Sequence, residues 1–248
     1  MMDEENSHQR IEAWRTERLG IGGEAVENFM RRLRSSLIVK REAWCLTWRG
    51  WGLLVSLIML VFLTGVRYCG SFLTFNRPIP ADVLIVEGWL PDYALQGAAA
   101  EFHRGRYRYI ITAGSPLIGG YFNSEAKSSA HLAATALVRL GLATNLVVPV
   151  PGPAVLRERS LSHAKAVKDW IEVNDPNLRR VNVYSLGAHA RRTSLVFEQV
   201  FGENMKVGSI AHPDAAYDLN RWWKTSQGFR TVTEEALGYL WTWGSGRP

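Results

Sequence analysis

The sequence predicts an α/β protein: a Rossmann-like, doubly wound, mostly parallel five-stranded sheet in an α/β/α sandwich, preceded by one transmembrane helix. Three observations support this prediction. After residue 81, short runs rich in Val, Ile and Leu alternate with longer helical stretches, as in sheets whose parallel strands are joined by helices. Several of these runs end in Gly, as strand-to-helix turns do. The stretch from Gly50 to Val66 is apolar and carries no charge, which is typical of a membrane span.

Residues 1–47 are predicted to form a basic cytoplasmic segment. Apolar residues from Val26 to Leu37 recur three and four positions apart, as on an amphipathic helix that lies on an anionic membrane surface. A partly disordered cytoplasmic tail is the alternative. The position of the basic residues, just before the apolar run, indicates a membrane surface rather than nucleic acid, for which no motif is present. These basic residues are Arg31, Arg32, Arg34, Lys40, Arg41 and Arg49.

A transmembrane helix is predicted over residues 48–73. The run is longer than the roughly 20 residues that a span requires, and Trp48 and Trp51 sit where an interfacial belt would lie. A buried core helix is the alternative, but the flanking Trp and Arg residues fit a bilayer better. Because most basic residues precede the span, the positive-inside rule predicts a single-pass protein of the cytoplasmic membrane. Its N-terminus would be cytoplasmic and its C-terminal domain extracytoplasmic, with residues 74–80 as a short stiff linker.

Residues 81–248 are predicted to form the α/β domain. The five predicted strands are 82–88, 109–114, 146–150, 181–186 and 206–210. Pro149 places the third strand at a sheet edge or near a strand end. Helices are predicted over 92–104, 124–140 and 161–173, with Ser124 as the N-cap of the second. A further helix follows the fourth strand, and Trp222 precedes a C-terminal packing helix over 231–243.

The candidate site lies at the carboxyl ends of the strands, where open α/β sheets bind their ligands. After the fourth strand, His189 and Arg192 share one face of the first turn of a helix, whose N-terminus attracts anions. We expect them to hold an anionic or polar group. The alternative is that His189 caps the helix and Arg192 pairs with a surface carboxylate.

The sequence offers two candidate catalytic residues. His189 would act as acid or base, and Glu87 would orient or activate a nucleophile. A hydrogen bond that stabilises the turn is the alternative role for Glu87. The candidate substrate-binding residues are Gly88, Gly114, Ser115, Glu125, Arg159, Ser160, Gly187 and Arg192.

Several familiar signatures are missing from the sequence. It contains no Walker loop and no G-x-G-x-x-G fingerprint, and Ser115 is not in a G-x-S-x-G nucleophile elbow. No spacing of Cys and His predicts a metal site, and no cofactor is indicated. Ser160 and Ser162 are expected to cap the helix that follows, and His163 to have a structural role.

The order of several short segments resembles a known family. The clearest segment is the fourth strand followed by a small residue, a His and a double Arg, at residues 188–192. The other segments are Ala81–Gly88, Ala113–Ser115, Glu125–Ala126, Arg159–Ala164 and a C-terminal set of Trp222, Trp223, Gly228, Arg230 and Glu234 or Glu235. From residue 81 to about 243, this order resembles the YdcF, SanA and ElyC family (domain of unknown function 218).

This resemblance implies a Rossmann-like α/β/α fold, and envelope members of the family carry one N-terminal membrane helix. The chain departs from the family pattern at Glu87–Trp89, where a Leu-Gly-Gly type turn is usual. It departs again at Arg159–Ala164, where the family has a Ser-x-Asn-Thr-x-Glu-Asn motif. One soluble family member is linked to binding S-adenosylmethionine, a cofactor that an outward-facing domain would not normally meet.

Because the family is linked to cell-envelope integrity, the resemblance implies a function outside the cytoplasmic membrane. The domain is expected to bind or process a phosphate- or sugar-bearing intermediate of peptidoglycan, polysaccharide or lipid-carrier metabolism. Expected partners are the lipid bilayer, a lipid-linked sugar or phosphate intermediate and envelope synthesis proteins, but no nucleic acid. The alternatives are a non-catalytic scaffold for envelope biogenesis and a cytoplasm-facing nucleotide- or cofactor-binding enzyme, which requires the opposite topology.

Overall fold

The computed structural model describes residues 27–29, 31–32, 46–117, 127–155 and 157–246. Most of the predicted amphipathic stretch before the span lies outside these residues. The helices are α1 (Trp48–Leu73), α2 (Asp92–Arg104), α3 (Ser129–Arg139), α4 (Arg159–Asn174), α5 (His189–Phe201) and α6 (Ser226–Ser245), with short 3-10 helices at Thr144–Leu146 and Leu219–Lys224. The strands are β1 (Val83–Glu87), β2 (Tyr109–Gly114), β3 (Val147–Pro151), β4 (Arg180–Leu186) and β5 (Lys206–His212).

The five strands form one sheet in the order β3-β2-β1-β4-β5, and every neighbouring pair is parallel. This sheet and its flanking helices confirm the predicted α/β fold. The chain moves from β1 outward to β3, then returns to the other side of β1 to form β4. The strand order therefore reverses between β1 and β4. Pro149 lies in β3, which is an edge strand as its proline predicts.

Alternate residues of each strand face opposite sides of the sheet. Val83 and Ile85 of β1 pack in the core beside α4 and α5, whereas the residues between them pack beside α2 and α3. By the same alternation, Glu87 at the end of β1 and Ser115 just after β2 face the α4 and α5 side. This shared side brings polar groups from two strands into one region.

Helix α1 has 26 residues and is long and apolar enough to span a membrane. Its length is about 39 Å at 1.5 Å per residue. The last two turns pack against α6 and the preceding 3-10 helix. The carbonyl of Val66 accepts a hydrogen bond from the Trp222 indole at 3.2 Å, and a Cβ on Gly70 would lie 2.9 Å from the Trp222 ring. The Arg191 guanidinium lies 3.9 Å from the ring centre of Phe72.

The predicted linker over residues 74–80 is tied to the sheet by hydrogen bonds. Arg77 and Ser209 of β5 form an antiparallel bridge, with N to O distances of 2.7 and 3.1 Å. The buried amide of Asn182 in β4 donates to the Ile79 carbonyl at 2.8 Å and accepts from the Ile79 N–H at 3.0 Å. The linker is thus part of the folded α/β unit.

Two helix starts differ from those predicted. The N-cap of α3 is Ser128, and the predicted cap, Ser124, lies outside the described residues. The N-cap of α4 is Glu158, which adopts a left-handed conformation with φ of 53°. The prediction that Ser160 and Ser162 cap this helix is wrong, because the turn at Glu158 starts the helix early and leaves both serines inside it.

Candidate functional site

A cleft of about 740 Å³ lies at the carboxyl ends of the strands. Residues that follow β1, β2 and β4 contribute to it. The reversal of strand order between β1 and β4 is a topological switch point, where open α/β sheets bind their ligands. The titratable and hydroxyl side chains that line the cleft are Ser115, Ser129, Glu158, Arg159, Ser160, His163, His189, Arg192, Glu234 and Glu235.

Glu87 is the last residue of β1 and is only 2% exposed. Its carboxylate accepts hydrogen bonds from the hydroxyls of Ser185 and Thr193, the latter at 3.4 Å, and lies 3.4 Å from Nε2 of His189. Burial would raise the pKa of Glu87, but the charge of His189 and the hydrogen bonds from His189 and Ser185 lower it further than burial raises it. Glu87 is therefore ionised at neutral pH.

His189, the first residue of α5, lies between two carboxylates. Its Nδ1 is 2.8 Å from Oε1 of Glu235, and its Nε2 faces Glu87. Ionised carboxylates only accept hydrogen bonds, so both ring nitrogens carry protons. Burial would lower the pKa of His189, but the charge of Glu87 and the hydrogen bonds to both carboxylates raise it to about 9. The indole of Trp89 packs edge-on against this imidazolium, with ring centres 5.2 Å apart.

Arg192, one turn further along α5, binds both oxygens of the Glu235 carboxylate. Its Nε donates to Oε2 at 2.7 Å and its Nη2 to Oε1 at 3.1 Å, which is a bidentate pair. Burial would raise the pKa of Glu235, but the hydrogen bonds from His189 and Arg192 lower it to about 2. Glu87, His189, Glu235 and Arg192 form the charge network, a continuous chain of alternating charges.

Ser115 and His163 form a second polar pair in the cleft. Ser115 Oγ lies 2.6 Å from His163 Nε2, and the two residues are 9% and 7% exposed. Burial lowers the pKa of His163; the charge of Glu87 opposes this shift, and the charges of Arg159 and His189 add to it. His163 is therefore a neutral imidazole at pH 7, unlike His189.

Gly88 and Gly114 allow α3 to approach the ends of β1 and β2. A Cβ on Gly88 would lie 2.7 Å from the backbone of Ser129, and one on Gly114 would lie 2.6 Å from the Ala130 nitrogen. No side chain fits at such distances. Both predicted binding glycines are thus placed against the start of α3, one layer behind the cleft lining.

The structure brings most of the predicted site residues together. Glu87 lies in the charge network beside the cleft, and Gly187 forms the β4–α5 turn with a positive φ of 47°. Glu125 lies outside the described residues. The capping alternative for His189 is wrong, because Ala188 is the N-cap of α5 and makes no side-chain capping bond. The predicted residues that line the cleft are Ser115, Arg159, Ser160, His189 and Arg192.

Sequence reasoning did not identify Glu235 as a site residue, and it predicted only a structural role for His163. Glu235 is 43 residues beyond Arg192 and belongs to α6, outside the strand-end loops. His163 shares a buried stripe of α4 with Val167 and Ile171, at four-residue intervals. That spacing is a signal that the side chain points at the sheet.

His212, the last residue of β5, lies away from this cleft. Nδ1 of His212 is 2.6 Å from the Tyr184 hydroxyl, and Tyr184 belongs to the core on the α2 and α3 side. His212 lines a separate cavity of about 260 Å³ with Glu101 and Arg104. The end of β5 therefore lies at a separate cavity and not at the candidate site.

Within the described ranges, no group of three or more His, Cys, Asp or Glu side chains is arranged to hold a metal ion. No protein-family model matches the chain, and no curated protein matches it. The resemblance to the YdcF, SanA and ElyC family therefore stays a prediction.

Proposed function

We propose that this chain is a single-pass protein of the cytoplasmic membrane whose extracytoplasmic α/β domain binds or processes a phosphate- or sugar-bearing envelope intermediate. The observation that carries the proposal is the switch-point cleft, where Arg159 lies beside the charge network that contains His189 and Arg192. Because Glu87 and Glu235 balance His189 and Arg192, Arg159 adds the positive charge that a phosphate group would meet.

The other lining groups suit a sugar. Hydroxyls of a sugar need both donors and acceptors, and the cleft offers the hydroxyl of Ser160 and the carboxylate of Glu234. Trp89 is 45% exposed at the cleft and presents an aromatic surface of the kind that packs on sugar rings. The mixture of cations, carboxylates and an aromatic ring supports a sugar phosphate more than a purely anionic ligand.

The candidate membrane span, α1, lies close to this site. Tyr239 follows Glu235 by one turn of α6, and its ring packs against Phe72 near the end of α1, with centres 5.6 Å apart. The helix that closes the charge network therefore also contacts the candidate membrane span. This proximity supports a substrate that is itself attached to a lipid.

The orientation is tested with reporters fused after Pro248. We expect alkaline phosphatase, which folds to an active state outside the cytoplasm, to be active in this fusion. A fluorescent protein that matures only in the cytoplasm should stay dark. The opposite pattern would overturn the extracytoplasmic placement and favour the cytoplasmic enzyme.

Binding is tested by thermal unfolding of the full chain in lipid nanodiscs. The compounds are inorganic phosphate, a polyprenyl phosphate, nucleotide sugars, muropeptides and S-adenosylmethionine. A ligand at about 100 times its Kd should stabilise the protein by about 2.7 kcal/mol, which raises the Tm by several degrees.

Arg159 and Arg157 provide a matched pair for this experiment. Both are exposed, but only Arg159 lines the cleft. Arg159→Ala should reduce the shift given by a phosphate-bearing ligand, and Arg157→Ala should leave it unchanged. If no compound stabilises the wild-type protein, the binding proposal fails and the scaffold becomes the better explanation.

A further inference from the structure

We propose that Ser115 and His163 are a nucleophile and its general base, and that the cleft is the site of a serine esterase that cleaves an acyl ester. This inference rests on the proposed function for the location of the substrate. It goes beyond that function by naming the bond that is broken and the residues that break it.

The geometry of the pair meets the requirement for an activated serine. A nucleophile and its base must be within about 2.6–3.2 Å, and Ser115 Oγ is 2.6 Å from His163 Nε2. Both side chains line the cleft, although each residue is more than nine-tenths buried. A substrate in the cleft would meet the hydroxyl where bulk water has little access.

The backbone holds both partners in place. The carbonyl of Ser115 accepts hydrogen bonds from the backbone N–H of Ser129 at 2.9 Å and from its hydroxyl at 3.3 Å. A Cβ on Gly152 would lie 3.0 Å from Cδ2 of His163, so the imidazole packs directly on the chain after β3. Each partner is therefore held by a backbone contact of its own: Ser115 by the start of α3, and His163 by the chain after β3.

The protonation state also suits a general base. Burial keeps His163 neutral at pH 7, and the tautomer with its proton on Nδ1 leaves Nε2 free to accept the serine proton. The second histidine of the cleft is charged and cannot take a proton. The two histidines thus have separate roles that their surroundings determine.

The reaction needs only the ester and water. Ser115 Oγ forms a bond to the acyl carbon while its proton moves to His163 Nε2. The bond from the acyl carbon to the alkoxy oxygen then breaks, and His163 returns the proton to the departing alcohol. Water repeats the sequence on the acyl-serine, so that one ester and one water yield one acid and one alcohol.

Positive charge is available for the oxyanion that forms during each attack. Arg159 lines the same cleft as Ser115 and His163, whereas the charge of His189 is balanced by Glu87 and Glu235. A cation near a developing negative charge stabilises the transition state.

The test is covalent labelling of the full chain in detergent micelles with an alkyl fluorophosphonate, followed by mass spectrometry of its peptides. We expect the phosphonyl group on Ser115, with loss of fluoride. His163→Gln should slow labelling by about 100-fold or more. Ser162→Ala is the matched control, since Ser162 neighbours His163 on α4 but does not line the cleft, and it should label at the wild-type rate.

Absence of the label from the Ser115 peptide of the wild-type protein would overturn the proposal, and so would an unchanged rate in His163→Gln. The site is mapped on the wild-type protein, so this result does not depend on how a variant folds. Ligand stabilisation without labelling would refute the esterase alone. Labelling of Ser115 without stabilisation by any compound would support the esterase and refute the proposed ligand class.

Discussion

The charge on His189 predicts that the protein loses stability as the pH rises above neutral. The pKa of His189 is about 9 in the folded protein and about 6.5 in the unfolded chain. The folded state therefore holds a proton that the unfolded state has released between these values. The stabilisation is fully present below pH 6.5 and is lost as the pH rises through about 9. This difference between the folded and unfolded pKa values corresponds to about 3 kcal/mol of unfolding free energy.

The perturbation is a change from pH 6 to pH 9.5, applied to wild type and to His189→Gln. Denaturant unfolding of the full chain in micelles gives the free energy at each pH. His163 and His212, whose pKa values burial lowers, titrate in both proteins, so the difference between the two curves isolates His189. Wild type should lose about 3 kcal/mol more than the variant over this range.

A direct titration gives the decisive comparison. NMR of the ring carbon Cε1 in ¹³C-labelled histidine should show one imidazole with a midpoint near pH 9, and this signal should be absent from His189→Gln. A His189 midpoint near 6.5, or equal loss of stability in the two proteins, would refute the placement of a charged imidazole between two carboxylates.

Three further substitutions test the packing and the network, each by denaturant unfolding. Glu87→Gln should lower the free energy of unfolding by about 3–5 kcal/mol, because the buried charge of His189 loses a partner. Glu234→Gln, at an exposed position, should change it by about 0.5 kcal/mol or less. Equal effects of the two substitutions would contradict the buried network. Gly88→Ala should lower the free energy of unfolding by about 1–3 kcal/mol, because the added Cβ forces α3 away from β1. Gly52→Ala should not destabilise the protein, because a Cβ at Gly52 has no atom within 4 Å. An unchanged stability of Gly88→Ala would contradict the close approach of α3. Asn182→Ala should lower the free energy of unfolding by about 1–3 kcal/mol and speed hydrogen exchange of the Ile79 amide in the linker. Unchanged exchange at Ile79 would show that Asn182 does not hold the linker.

The strand-end rule identified the region of the site but not its partners. Glu87 ends β1 and His189 follows β4, so the sequence placed both at strand ends, but only the observed strand order makes β1 and β4 neighbours. Glu235 lies on α6, and its contact with Arg192 depends on how α6 packs on α5. No local pattern fixes that packing, which explains why the sequence left Glu234 and Glu235 without a choice between them. The structure separates them, since the Glu234 side chain is largely exposed at the cleft and pairs with Arg230 at 3.6 Å, whereas Glu235 is paired in the charge network.

The adjacent residues Arg191 and Arg192 also show how far the sequence could predict the contacts of a side chain. Arg191 and Arg192 are adjacent in sequence, but they leave α5 about 100° apart and serve different regions. Arg191 stacks over Phe72 and Phe75 beside the end of α1, and Arg192 joins the charge network. The three-residue spacing from His189 assigned Arg192 to the site, but the sequence predicted no separate role for Arg191.

The sequence by itself determined the alternation of strands and helices and the presence of one apolar helix of spanning length, because both follow from local hydrophobic patterns. Only the tertiary structure decided which ionisable groups are buried together and which stay charged. A histidine's pKa depends on neighbours that are distant in sequence, so His163 and His189, alike as residues, become a neutral base and a cation.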